Sequence, residues 1–298
     1  MMNSLYRLDK KINFFVLAID KKTFEKITTL ELDFINVINI NDFFKRYPEL
    51  KKQQKKRKIN EFCFLLTPFL IEYCFTRFKK KRIFYTDADL FFFDKCNAIT
   101  NKLNKFSIIS SVHNFSLKNK FQEKINGIYN VGFLGFKKDN VGKKCINIWK
   151  KQCLFSTTLN ESFNGIIKGD QLYLNKWPKI FKKKFYGITD KLFNIGAWNI
   201  GDHKFYYKKN IIYSDKKKLK MLHANFIEFT NNEIILINKK NMRIINNVIY
   251  KNYLTTSENY GIKKFNLYKI NILRKMITYI LKIISFLLKG KAKYKKIK

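Results

Sequence analysis

The chain is short of backbone-breaking residues and of negative charge. Three prolines and eleven glycines in 298 residues exclude collagen-like and Gly/Pro low-complexity classes. Twenty-two Asp and Glu stand against 61 Lys and Arg, a formal net charge of +39. Arginine is scarce: seven of the 61 basic residues. Nucleic-acid readers use clustered Arg for bidentate base contacts, whereas here Lys is spread along the whole chain. That pattern argues against a specific nucleic-acid partner and fits the Lys, Asn and Ile bias of A/T-rich codons. So basic a surface still attracts anions, among them nucleotide phosphates and acidic lipid headgroups. The five cysteines, at 63, 74, 96, 145 and 153, form no CxxC pair, and an odd count suits no disulfide framework. They read as reduced thiols of an intracellular protein. No secretory h-region is visible: the apolar stretch Asn13–Ile19 has the length of a buried strand and ends in Asp20.

What is present is enough apolar sequence, 46%, for a real core in one large or two small domains. Strands are expected at Asn13–Ile19, Val37–Ile40, Ile83–Thr86, Ser107–Ser111 and Val131–Phe136. Asp42 is the expected N-cap of a short helix through Tyr47. Asn60–Phe78 reads as a helix that Thr67-Pro68 kinks or breaks, and Val141–Cys153 as another. This alternation, with no internal repeat and no linker, predicts an α/β domain on a mainly parallel central sheet, spanning residues 1–255. Ligands then bind beyond the carboxyl ends of the strands. Residues 256–298 form a basic tail: twelve Lys and Arg and no acid follow Glu258. Within it, Met276–Leu288 is apolar except for Lys282 and a few small polar residues. As a helix it rises about 20 Å, too short for a hydrocarbon core of about 30 Å. Two readings stand: an amphipathic helix lying on an anionic leaflet, or a helix packed on the protein's own core.

The sharpest chemical signal is Tyr85-Thr86-Asp87-Ala88-Asp89. An apolar strand delivers two carboxylates at i and i+2 where it ends. Two hard oxygen ligands suit Mg²⁺ or Mn²⁺, and an ion there would neutralise a departing diphosphate. A lone DxD also arises as a turn whose Asp caps the next segment. Further segments place polar residues at strand ends: Asn126–Phe133, Gly169-Asp170-Gln171, and Phe193–Asn199 with an exposed-type Trp198. His223 follows an apolar run and offers a nitrogen ligand; His113 and His203 read as structural.

Taken in order and spacing, YTDADLFFF, YNVGFLGFK, GDQLYLNKWP, NIGAWNI and MLHANF resemble the nucleotide-diphospho-sugar transferases of the GT-A (Rossmann-like) fold, in a bacterial branch related to glycosyltransferase family 8. FFVLAID, the stretch Arg57…Glu61-Phe62-Cys63 and Leu66-Thr67-Pro68 agree, so the likeness covers roughly residues 5 to 230. It implies a metal-dependent, retaining glycosyltransferase that uses Mn²⁺ or Mg²⁺, a nucleotide-sugar donor and a glycan or lipid-linked acceptor. Such an enzyme would build lipopolysaccharide or another surface glycan, in the cytoplasm at the inner face of the membrane. By the same likeness Asp87 and Asp89 hold metal, diphosphate and ribose, with Tyr85, Thr86 and Ala88 lining the donor site. His223 is the late metal ligand. Asn130, with Gly132, faces the donor sugar; Asp170 and Gln171 are the catalytic pair near the anomeric carbon; Trp198 and Asn199 contact substrate. In a front-face route the leaving phosphate takes the acceptor's proton, and no separate base is needed.

Two departures from the family pattern are visible. The family starts with an extra strand and loop that help hold the nucleobase, whereas Asn3-Ser4-Leu5-Tyr6 resembles the end of the helix that follows them. His223 is also not followed by Gly-x-Lys-Pro-Trp, so the diphosphate-binding Lys has no certain counterpart; Lys216–Lys218 and Lys220 lie nearby. The rival readings are a catalytically impaired relic that binds nucleotide or polyanions without turnover, and a basic binder of unrelated class.

Overall fold

The computed structural model describes residues 1–158, 169–209, 211–225, 227–229, 233–237, 243–259 and 266–270. They fall into two compact units, Met1–His203 with Lys216–Ala224, and Lys204–Asp215 with Asn225–Lys298. The apolar segment Met276–Leu288 lies outside the described residues.

The first unit opens with α1 (Met2–Leu8), then β1 (Phe14–Ala18), α2 (Lys21–Thr28) and β2 (Ile35–Asn39), with β1 and β2 paired in parallel. Asp20 caps α2, its carboxylate accepting from the Thr23 amide at 2.7 Å. β2 runs straight into α3 (Ile40–Arg46), because Asn39 is extended and its side chain accepts from the Asn41 amide at 2.8 Å. Asn39 therefore takes the capping role expected of Asp42, which sits in the first turn and pairs with Lys45 at 2.8 Å. After α4 (Pro48–Lys56) comes α5 (Ile59–Arg77), which continues through Pro68 without the expected break. An internal proline costs a helix about 3 kcal/mol. Phe62, Leu65, Leu66, Phe69, Ile71 and Phe75 are all buried, at roughly 1.5–3 kcal/mol each, so packing outweighs the lost bond. Among the described residues α5 is the helix long and apolar enough to cross a membrane, and half of that apolar window is buried within the protein.

The main sheet is formed by β3 (Arg82–Thr86), β5 (Ile108–Val112), β6 (Tyr129–Lys137) and β7 (Phe185–Ile188) in the order β3-β6-β5-β7. β6 is antiparallel to both β3 and β5, while β5 and β7 are parallel. The sheet is therefore mixed rather than mainly parallel, and β3 lies at its edge. The cause is the β5–β6 connection. It holds only 3₁₀ turns and the one-turn helix α7 (Glu123–Asn126), whereas a parallel return usually carries a full crossover helix. Before it, β4 (Leu90–Phe92) and α6 (Asn97–Thr100) leave the tip of β3.

On one side the sheet packs against α5 and α8 (Asn140–Phe155), around Trp149, Phe136 and, from α9 (Trp177–Phe181), Trp177. A second cluster joins Leu90, Phe92, Phe133, Phe193 and Met221. All five cysteines are free thiols, and all but Cys63 are buried.

β8 (Phe205–Lys208) and β9 (Ile211–Ser214) form an antiparallel hairpin in the second unit. β10 (Lys217–Lys218) and β11 (Met221–His223) belong to the first unit, where β11 pairs antiparallel with β4. The rest of the second unit holds β12 (Ile227–Phe229), β13 (Glu233–Ile237), α10 (Arg243–Asn259) and β14 (Asn266–Ile270), with β12–β13 antiparallel and β13–β14 parallel. Residue 255, the expected domain limit, falls within α10.

Candidate metal centre

Every residue of the site lies in the first unit. β3 ends at Thr86, and the chain turns at once. The Asp87 amide donates to the Gly132 carbonyl at 2.9 Å, extending the ladder by one bond, and the Leu90 amide closes back on the Asp87 carbonyl at 3.4 Å. β11 then fixes the turn from the other side. His223 is the β partner of Leu90, and the Ala224 amide donates to the Asp89 carbonyl at 2.8 Å. Two segments far apart in sequence are thus held together by backbone bonds.

The result is a convergence of three ligand atoms. His223 Nε2 stands 3.2 Å from Asp89 Oδ1 and 3.8 Å from Asp87 Oδ2, and one ligand atom from each residue fits within 4.8 Å of the others. The imidazole is oriented by its other nitrogen, since His223 Nδ1 lies 3.3 Å from Asn194 Oδ1. Asn194 Nδ2 in turn donates to the Val112 carbonyl at 3.2 Å, which settles which way the amide faces. Nδ1 therefore carries a hydrogen, and Nε2 is the ring nitrogen that faces the two carboxylates. Lone pair and anions repel unless a proton or a cation lies between them. Two carboxylates and one imidazole nitrogen are a donor set that Mn²⁺ accepts and Mg²⁺ tolerates. The chemistry of the cluster fits a divalent ion.

The carboxyl groups differ. Tyr85 donates its hydroxyl hydrogen to Asp87 Oδ1 at 2.7 Å. Burial pushes the Asp87 carboxyl up, opposed by His223 and Tyr85. Asp89 is more exposed; burial pushes it up too, but the His223 hydrogen bond and charge outweigh this and hold it below the ordinary range. Ala88 between them is exposed, and Thr86 is half-buried with its hydroxyl 3.5 Å from Met1 Sδ.

Asp170 follows Gly169, whose φ of +65° is left-handed. Asp170 is 3% exposed, with Oδ2 lacking any hydrogen-bond partner among the described residues. Burial first, and then the charge of Asp87, drive it well above the usual carboxylate range. Gln171 faces an internal network: its Oε1 accepts from Asn130 Nδ2 at 2.9 Å and from the Val131 amide at 3.1 Å, and its Nε2 donates to the Asn126 carbonyl at 2.7 Å. Asn130 also donates to His113 Nε2 at 3.1 Å and accepts from the Gly132 amide at 3.0 Å. Burial lowers His113 to about 4, so its ring is neutral and Nε2 free to accept.

Gly132 is required by close approach. A Cβ there would fall 2.6 Å from Asn130 Oδ1 and 2.7 Å from the His223 ring. Gly132→Ala is expected to displace the imidazole and weaken Mn²⁺ binding about tenfold or more with the fold retained, as titration calorimetry would show. Unchanged affinity would remove His223 from the ligand set.

Trp198, read as exposed, is 8% exposed. Its Nε1 donates to the His113 carbonyl at 2.6 Å, and its ring meets His223 edge-on at 5.3 Å. Gly196 makes room for that ring, which would lie 2.5 Å from any Cβ at 196. Asn199 donates to the carbonyls of His113 and Asn114 and accepts from the Gly196 amide. Trp198 and Asn199 thus brace the loop that carries Asn194. His113 and His203 are buried and stand outside the three-residue cluster. Lys220 is paired with Asp190, while Lys216–Lys218 are exposed. The residue that sequence reasoning passed over is Asn194. It was present in NIGAWNI, and its left-handed φ of +69° is a conformation to which Asn is well suited.

No protein-family profile matches the chain. Among curated proteins it is similar to two from Bacillus subtilis strain 168, both described as uncharacterized. It is 28% identical to YfnF, over 80% of this chain and 78% of that protein, and 25% identical to YfnD, over 75% and 71%. Among solved structures, mouse xyloside xylosyltransferase 1 in its apo form aligns with a TM-score of 0.46 at 14% identity, covering 75% of this chain and 89% of that one. A glycosyltransferase involved in glycosylation of the major capsid protein of PBCV-1 aligns with a TM-score of 0.40 at 11% identity, covering 72% and 92%.

Proposed function

We propose that this chain is a divalent-metal-dependent glycosyltransferase that moves a sugar from a nucleotide-diphospho-sugar to a glycan or lipid-linked glycan, with retention at the anomeric carbon. The observation that carries the reading is the meeting of Asp87, Asp89 and His223 within 4.8 Å, in a chain whose motifs resemble the GT-A transferases of family 8 type. Asp87, Asp89 and His223 would hold Mn²⁺ or Mg²⁺. Such an ion, when bound, offsets the charge that builds on a leaving diphosphate.

The remaining work falls to the chain's own groups. Tyr85 holds Asp87 in place, and Asn194 keeps hydrogen on Nδ1 of His223 so that Nε2 faces the carboxylates. Asp170, whose Oδ2 has no hydrogen-bond partner among the described residues and whose carboxyl burial pushes well above the usual range, would face the donor sugar. Kept protonated, it can donate a hydrogen bond to the donor sugar. Gln171 and Asn130 act by positioning, tying the Asp170 turn to β6 beside Gly132. The acceptor's proton leaves with the phosphate. The apolar segment Met276–Leu288, set in a basic tail, would hold the protein at the cytoplasmic face of a membrane.

A donor screen tests the reading. Several nucleotide sugars are incubated with the protein, with and without Mn²⁺. Hydrolysis or transfer of one of them, dependent on metal, is expected. Metal-dependent binding without turnover would indicate a relic, and no binding of any nucleotide sugar would overturn the proposal.

A further inference from the structure

The connection between β5 and β6 carries an apolar face that the site does not use. Leu117 is 94% exposed, Phe121 63%, Ile125 42% and Ile128 42%. The first three lie on two consecutive short segments, the 3₁₀ turns Leu117–Gln122 and the one-turn helix Glu123–Asn126. Three exposed lysines, Lys118, Lys120 and Lys124, alternate with them. The segment's single acid, Glu123, is paired with Lys120.

Single exposed apolar residues are ordinary, but four in one short segment mark an interaction surface. Its size and chemistry choose the occupant. A stable protein interface needs about 800 Å² on each partner, more than four side chains supply. A lipid surface needs only apolar side chains that reach the acyl boundary and lysines that snorkel to the headgroups. The excess of positive charge, local and overall, complements an anionic leaflet.

The segment is anchored at both ends to the site described above. Asn119 Nδ2 donates to the Trp198 carbonyl at 2.7 Å. At the far end, the Asn126 carbonyl accepts from Gln171 at 2.7 Å, and the Ile128 amide donates to Asn175 Oδ1 at 2.9 Å.

We infer that Leu117–Ile128 is a docking face for an anionic phospholipid bilayer, with Leu117, Phe121 and Ile125 inserting and Lys118 and Lys124 meeting headgroup phosphates. The inference does not depend on sugar transfer or on the C-terminal segment. It accounts for apolar exposure that folding leaves unexplained, and it sets the Asp–Asp–His site beside the lipid surface.

The test reads insertion at the face itself. The full chain carrying Phe121→Trp is mixed with vesicles of phosphatidylglycerol and phosphatidylcholine; the native Trp149, Trp177 and Trp198 are buried and serve as background. Expected are a blue shift of the introduced indole, quenching by brominated acyl chains, and a much weaker response with phosphatidylcholine alone. Adding Leu117→Ser and Ile125→Ser should lower the partition coefficient about tenfold or more, with Mn²⁺ affinity unchanged as proof of an intact fold. An indole that stays open to iodide and untouched by bromine in the presence of vesicles overturns the inference. So does a blue shift without lipid that grows with protein concentration, which would assign the face to a second copy of the chain.

Discussion

Asp89→Asn is expected to cut metal-dependent turnover roughly a hundred- to thousandfold and to weaken Mn²⁺ binding in parallel, because a metal's stabilisation of charge in the transition state is worth several kcal/mol. The substitution keeps the shape and one acceptor oxygen but removes the charge. Asp89 is the better placed of the two acids to supply that charge. It is more exposed, and His223 holds its carboxyl below the ordinary range, so it is ionised at neutral pH. Asp87 is pushed the other way by burial and is also occupied by the Tyr85 hydroxyl. An exposed side chain contributes little to folding, so the variant's stability should stay within about 1 kcal/mol of the parent. The checks are turnover against Mn²⁺ concentration, Mn²⁺ affinity and the far-UV spectrum. Full turnover by the variant in chelator-treated buffer would end the metal reading.

The second large effect is on stability. Trp149→Ala should destabilise the first unit by about 3–5 kcal/mol, a large part of the 5–15 kcal/mol typical of a domain. Trp149 is fully buried, stacked on Phe136 at 6.4 Å and edge-on to Trp177 at 5.4 Å. Its Nε1 also donates to the Asp170 carbonyl at 3.1 Å, so the core residue holds the backbone of a site residue. Trp149→Phe separates the two roles. It keeps much of the ring packing and leaves that carbonyl unpaired, at about 1–3 kcal/mol. Under the proposed function it should also lower turnover through the loosened Gly169–Asp170 turn. Urea unfolding followed by circular dichroism measures both variants. A loss below about 1 kcal/mol for Trp149→Ala would mean the cluster around Trp149, Phe136 and Trp177 is not the main source of stability.

Much of this organisation could be read from local pattern. The acids at 87 and 89 were expected at a strand end, and β3 stops one residue before them. His223 was expected after an apolar run, and β11 is that run. Such features depend on neighbours in sequence: an apolar stretch of strand length, a polar pair where it stops. The misses share the opposite character. Pro68 stayed inside α5 because six large side chains of that helix are buried against other elements. Asn39 displaced Asp42 as a cap because β2 and α3 meet without a loop.

The sequence by itself determined which segments are apolar, that a strand stops just before Asp87, and that two acids and an imidazole were available for a hard cation. The direction of β6, the edge position of β3 and the burial of Trp198 were decided only by the tertiary structure, since each depends on what lies opposite. The same holds for the site's geometry. Asn194 and His223 are 29 residues apart, and Asp87 and His223 come together only when β11 pairs with β4. Backbone pairing between distant segments carries no local signature, yet it turns three scattered ligands into one centre.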